Sequence, residues 1–259
     1  MPHCFNAGDA VEPDVNYYQG AGWYRTQLEL NNPYPNGRIL LEFEGAGQRS
    51  DVYIYTTKVG SHVGGYDGWF VDITDAVKAF AQTKEYTERF KGKIPVAIRC
   101  DNIRDTETIP SDMSDFNLYG GLYRYVNLIY VPEISFQRIK IDPVVDEKGR
   151  IGDLSIQASF YNPGKLNKEG IISLTVKHPS GKEIVIKKET HSLKESANLL
   201  TTQIKKPALW DVDSPQLYTC EIELEVEGQK IKATERFGFR HFEFKEKGPF
   251  HLNGRRVLL

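Results

Sequence analysis

A chain of 259 residues with 40% hydrophobic content is long enough to bury two cores of ordinary size, and a formal charge of −2 with 26% charged residues gives neither a nucleic-acid footprint nor a disordered acidic tail. No apolar run approaches the roughly 20 residues of a membrane span and no charged-then-apolar leader opens the sequence, so neither a nucleic acid nor a membrane is expected as partner. Cys4, Cys100 and Cys220 are odd in number and far apart, which excludes a legible disulfide framework or CxxC site and predicts free thiols, buried or half-buried.

Period-two alternation dominates the first half. In GWYRTQLELN the residues Tyr24, Thr26, Leu28 and Leu30 share one face, and in GRILLEFEG so do Ile39, Leu41 and Phe43. NNPYPNG between them reads as a turn, with Asn36-Gly37 suited to positive φ. DVYIYTTKV, KIPVAIRCD and GLYRYVNLIYV are further β-branched and aromatic strands. GSHVGGYDGW lacks the strand-to-helix context and Lys-Ser/Thr ending of a phosphate-cradling loop and reads as a turn-rich hairpin. One short helix is predicted around Ala76, Val77, Phe80 and Ala81, capped by Thr74 or Asp75, and the polar QTKEYTERFKGK after it reads as a surface excursion.

Composition changes near Val131-Pro132. Before it stand 12 basic and 17 acidic residues, a net −5; after it, 21 and 18, a net +3. Twelve of the fourteen tyrosines also lie on the first side, so two modules are favoured over one core. In the second half DLSIQASF places Leu154, Ile156, Ala158 and Phe160 on one face. IISLTVKHPSGKEIVIKK predicts a hairpin around Pro179-Ser180-Gly181, and LYTCEIELEVEGQKIKATERFGF another around Glu227-Gly228. About seven strands in some 105 residues without a helix is the pattern of an immunoglobulin-like sandwich, although the Cys-Trp-Cys core is absent. EFKEKGPFHLNGRRVLL closes the chain as a hairpin turning at Asn253-Gly254.

Local chemistry is sparse. The six histidines stand apart, with no GxSxG elbow and no metal-ligand spacing, so no catalytic residue, metal or cofactor is assigned. Glycoside hydrolysis needs two carboxylates, and the acids of DTETIPSDMSD sit in a polar loop that offers neither a rigid frame nor the apolar surroundings that raise an acid's pKa.

Five stretches in order, YYQGAGWYR, VGSHVGGYDGWFVDITDAV, DFNLYGGLYRYVNL, LWDVDSPQLYTCEIEL and GFRHFEFKEKGPFHLNGRRVLL, resemble glycoside hydrolase family 2, which includes β-galactosidases, β-glucuronidases and β-mannosidases. The resemblance runs over nearly the whole chain. It implies an all-β fold of two β-sandwiches: a jelly-roll, galactose-binding-like domain over residues 1–132, its first strand missing upstream, and an immunoglobulin-like domain over 133–241, in which Trp210 and Tyr218 mark the later strands and Gly238-Phe239-Arg240 the close. Residues 242–259 resemble a lead-in hairpin to a TIM barrel that this sequence does not contain. Such a barrel needs on the order of 250 residues, and the family's acid/base glutamate follows an asparagine, whereas no Asn-Glu dipeptide occurs here.

The same resemblance assigns roles. Asp115 stands nine residues before Arg124, as does the family aspartate whose loop reaches the barrel's sugar pocket, so Asp115 is expected to recognise a non-reducing sugar through its hydroxyls, or through a bound monovalent cation as in some galactosidases. Gln19 falls at a polar substrate-loop position of the galactosidases. Trp23, Trp69 and Tyr119 are candidates for stacking on sugar rings or for core and interdomain packing, and Asp112 for a loop-capping acid. The expected function is therefore the non-catalytic front of a retaining exo-β-glycosidase, foremost a β-galactosidase, that supports the barrel and lends its pocket a loop. Partners would be a β-galactoside or related glycan and the barrel itself, with a homo-oligomer formed through the uncovered face. The front of a β-glucuronidase or β-mannosidase, or a self-sufficient carbohydrate-binding or adhesion module, are the alternatives, and a periplasmic or secreted bacterial parent agrees with the resemblance.

Overall fold

Alternating burial along each strand builds two separate cores. The computed structural model describes residues 2–9, 11, 12, 14, 16–111 and 116–258, and the chain divides into two units that meet in sequence at Val131 and Pro132.

The first unit is a sandwich of strands β1 (Ala21–Leu28), β2 (Arg38–Phe43), β3 (Arg49–Ile54), β4 (Thr57–Val63) and β5 (Trp69–Asp72), helices α1 (Thr74–Phe80) and α2 (Lys84–Glu88), and strands β6 (Ile94–Asp101) and β7 (Val126–Val131). One sheet runs β1-β6-β3-β4 and the other β5-β2-β7, with all pairings antiparallel. This is the jelly-roll architecture. Inward positions two apart on β2, β3 and β6, namely Ile39, Leu41 and Phe43, Val52 and Ile54, and Ile94, Val96 and Ile98, fill the space between the sheets.

Two local expectations are corrected here. GSHVGGYDGW is not a hairpin, because β4 and β5 belong to different sheets and the segment carries the chain across the sandwich. Neither Thr74 nor Asp75 caps α1: its N-cap is Ile73 with no side-chain bond, while Asp72 accepts the Thr74 N–H at 2.8 Å and the buried Thr74 hydroxyl accepts the Ile39 N–H at 2.8 Å. The polar stretch after α1 runs over the surface as expected, but it contains a second short helix, α2, capped by the Thr83 hydroxyl, and Tyr86 in α2 and Phe90 after it pack on the Phe80 ring.

The second unit holds β8 (Ser135–Val145), β9 (Ile151–Tyr161), β10 (Glu169–Lys177), β11 (Glu183–Ser192), β12 (Ser196–Lys205), β13 (Tyr218–Val226) and β14 (Gln229–Phe237). They form an immunoglobulin-like sandwich with sheet orders β11-β10-β13-β14 and β12-β9-β8. Every second residue of β9 and β13 is buried, from Leu154 to Phe160 and from Tyr218 to Val226. Turn residues Gly181, Glu227 and Gly228 take the positive φ their hairpins require. The fully buried Tyr218 ring packs on Phe237 and Phe239, and its hydroxyl accepts the Ala208 N–H at 2.8 Å, tying the segment before β13 to the core.

A small sheet of β15 (Phe242–Phe244), β16 (Phe250–Leu252) and β17 (Arg255–Arg256) ends this unit. Asn253, at φ 50°, makes the tight turn, accepts the His241 N–H and donates to the Trp210 carbonyl at 2.9 Å, while Arg255 pairs with Asp211 and Asp213. No helix among the described residues is long and apolar enough to cross a membrane.

Candidate functional site

The β6–β7 connection, residues 102–125, is far longer than a connection needs to be, and long connections of this kind in compact domains usually carry function. Its first residue explains how it is held. Asn102 is fully buried where β6 ends; its side-chain oxygen accepts the Gly20 N–H at 2.9 Å, and its amide donates to the Tyr18 and Leu118 carbonyls, each at 2.8 Å. Three backbone groups from separate segments are thus bonded by one side chain.

Asn6 does the same from the other side. Buried at 2% exposure, it donates to Leu118 O at 2.9 Å and to Asn117 Oδ1 at 3.0 Å, and accepts the Gly120 N–H at 2.8 Å. The segments around residues 6, 19, 102 and 118 are in this way drawn into one polar knot at the end of the sandwich. Gly47 and Gly121 add a backbone bridge, possible only because a Cβ at Gly47 would stand 2.2 Å from the Tyr119 carbonyl.

The outer stem is fixed by charge. Asp105 pairs with Arg49 of β3 and also accepts from the Thr108 hydroxyl and the Glu107 N–H, both at 2.9 Å. The Arg49 guanidinium, helped by those donors, holds the Asp105 carboxyl down at about 2. The Tyr123 hydroxyl donates to the Gly65 carbonyl, which anchors the far stem, and burial raises its phenol above the ordinary value.

Asp115 and Asp112 lie outside the described residues. Gln19 sits between Tyr18 and Gly20, the two residues bonded to Asn102, and its side-chain oxygen faces the Arg104 N–H at 3.5 Å. Tyr119 follows Leu118 and is 45% exposed. Gln19 and Tyr119 therefore stand on segments joined through Asn102. Trp23 and Trp69 do not join them: Trp23 lies on the outer face of the β1-β6-β3-β4 sheet, 5.7 Å from the Tyr53 ring. Trp69 stacks on Phe43 at 4.2 Å and on His62 at 4.9 Å, so its flat surface is already engaged. Arg124 lines a cleft with Glu42, Glu44 and Trp69.

Sequence reasoning passed over Asn6 and Asn102, because a buried asparagine and a loop asparagine look alike in a sequence. The one signal was position: Asn102 directly follows a strand whose alternate residues are all apolar. Chemically, the knot fixes the position of the loop. Every described carboxylate whose acidity departs clearly from the ordinary value departs downward, whereas a proton-donating acid in glycoside cleavage needs an upward shift.

Comparison with known proteins shows what the chain resembles. Residues 134–240 match the family described as glycosyl hydrolases family 2. A putative β-glucuronidase of Formosa agariphila is 35% identical over 262 residues, covering 100% of this chain and 30% of that protein. A β-galactosidase of Thermoanaerobacter pseudethanolicus is 28% identical, covering 93% and 31%. The crystal structure of Parabacteroides merdae β-glucuronidase with glycerol in its active site superposes with a TM-score of 0.95 at 56% identity, covering 100% of this chain and 33% of that one. The chain thus spans about a third of the length of these relatives.

Proposed function

The chain belongs to glycoside hydrolase family 2, and from that premise we propose that it is the supporting and sugar-recognising front of a retaining exo-β-glycosidase that removes terminal β-glucuronides. The observation that carries this reading is the match along the whole chain to the Parabacteroides merdae β-glucuronidase. In such an enzyme one carboxylic acid protonates the leaving oxygen and a second carboxylate forms the glycosyl-enzyme that water then opens. The two sandwiches would contribute neither group. Their part is the loop held at its root by Asn6 and Asn102, whose Asp115 would accept hydrogen bonds from vicinal sugar hydroxyls, with Gln19 as a second polar candidate.

A β-galactosidase is the second reading, favoured by the Thermoanaerobacter relative. The two sugars differ at C4, where the hydroxyl is equatorial in glucuronic acid and axial in galactose, and at C6, a carboxylate against a hydroxymethyl group, so the choice rests in part on a cation facing C6. Rates of the natural protein that contains this segment, measured on p-nitrophenyl β-glucuronide and p-nitrophenyl β-galactoside, separate the readings. A glucuronide preference of about 100-fold or more, the scale on which a site that pairs a substrate charge rejects the analogue lacking it, is expected. A galactoside preference would install the second reading. Turnover of either by the 259-residue chain alone would overturn the division of labour.

A further inference from the structure

The outer face of the β1-β6-β3-β4 sheet carries a groove that the preceding reading does not use. Strand register creates it. On this face the central strand β6 presents Ala97 and Pro95, both short, while its neighbours present long side chains: Arg25 opposite Ala97 on β1, and Tyr53 opposite Ala97 on β3. A trough of about 670 Å³ results, floored by the short residues. Trp23, one rung further along β1, walls one end at 51% exposure with its ring 5.7 Å from Tyr53, and Arg89, its guanidinium over the Phe90 ring, stands at the other.

Charge at the groove is one-sided. No aspartate or glutamate lines it. Arg25 and Arg89 take part in none of the ion pairs among the described residues, whereas Asp51, on the same face of β3 as Tyr53, is held by Lys58 at 2.6 Å and lies near Arg99, and Glu29 beyond Gln27 is held by Lys93 at 2.7 Å. Uncovered aromatic rings beside two unpaired guanidiniums are poorly matched to an apolar protein surface. They suit a chain of pyranose rings that bears carboxylates: the apolar ring faces pack on Trp23 and Tyr53, and each guanidinium takes a carboxylate through two parallel N–H bonds.

We propose that this groove is a binding site for an acidic, uronate-containing oligosaccharide, separate from the loop knot and independent of which glycoside the complete protein cleaves. A site of this kind would hold a polymeric substrate near the enzyme and slow its escape.

Calorimetric titration of the 259-residue chain with a hyaluronan tetrasaccharide, and with cellotetraose as the uncharged counterpart, tests it without any catalysis. Saturable binding of the acidic tetrasaccharide is expected, at least about tenfold tighter than cellotetraose, in keeping with a charge-assisted hydrogen bond. It should weaken about tenfold or more in Trp23→Ala and in the Arg25→Gln/Arg89→Gln double variant. Trp23 and the arginines lie at the surface, so both variants should keep the parent's thermal melting, which confirms that a loss reports on the groove. Absence of binding at millimolar ligand, equal affinity for cellotetraose, or affinity unchanged in both variants would overturn the proposal. So would a self-associated chain that Trp23→Ala turns monomeric, since a second copy would then be the occupant.

Discussion

The side-chain amides of Asn6 and Asn102 both donate to a single acceptor, the carbonyl of Leu118, at 2.9 and 2.8 Å. The two donors come from parts of the chain remote from each other, so the loop they hold is defined by tertiary hydrogen bonding and not by local turn propensity. Replacing Asn102 by alanine would leave the Gly20 N–H and the Tyr18 carbonyl without their buried partner. A cost of about 2–3 kcal/mol follows from stranding such groups, read as a lowered urea midpoint. Asn102→Asp, which keeps the size but removes both donated bonds, should be similarly damaging, and wild-type stability in it would refute the knot.

Gly121 sets a steric limit on the same region. At φ +110°, a Cβ there would stand 2.2 Å from the Tyr24 hydroxyl and 2.8 Å from the His3 carbonyl. Gly121→Ala is expected to destabilise the first unit by at least about 2 kcal/mol, the strain of overpacking added to that of an unfavourable backbone. Thermal melting of the purified variant checks this, and an unchanged transition would contradict it.

Acid should loosen the loop through Asp105. Its carboxyl is held at about 2 in the fold, chiefly by the Arg49 hydrogen bond, against about 3.9 in an unfolded chain. Such a group adds stability above the unfolded value, and that stability is lost as pH falls through the folded value. Between pH 4 and about 2 the wild type should therefore lose stability more steeply than Arg49→Gln, in urea midpoints taken across that range; parallel curves would exclude the pair as a contributor.

Thiol reactivity should be confined to one cysteine. Burial pushes Cys100 up to about 11 and Cys220 to about 12, so neither presents a thiolate near neutrality. Cys4 is only half-buried. Mass spectrometry after brief alkylation at pH 8 should find the label on Cys4 alone, with all three labelled only in denaturant.

For the natural protein that contains this segment, Asp115→Asn should lower kcat/KM about 10- to 100-fold, the size of losing charge-assisted hydrogen bonds to substrate. Its melting should not change. A loss of stability equal to the loss of activity would reassign Asp115 to the fold.

Much of the architecture was legible where strands obey period two, as in the second sandwich: Leu154 to Phe160 and Tyr218 to Val226 alternate in the sequence and alternate in burial. Turns at Gly181, Glu227-Gly228 and Asn253-Gly254 were legible for the same reason, since few residue types tolerate positive φ. What stayed hidden depends on partners distant in sequence. Whether GSHVGGYDGW folds back or crosses over is decided by which strands accept β4 and β5, and whether Thr74 caps a helix or bonds to β2 is decided by Ile39. Asn6 and Asn102 are the sharpest case, because nothing near either residue announces burial.

The order β11-β10-β13-β14 leaves β11 and β14 with open backbone along their outer margins. Both are studded with charge: Lys187, Lys188 and Glu189 on the first, Lys230, Lys232, Glu235 and Arg236 on the second. A stray chain trying to add itself as a further rung would have to crowd and dehydrate those ammonium and carboxylate groups. Fibril growth from this four-stranded sheet is thereby discouraged at both of its margins.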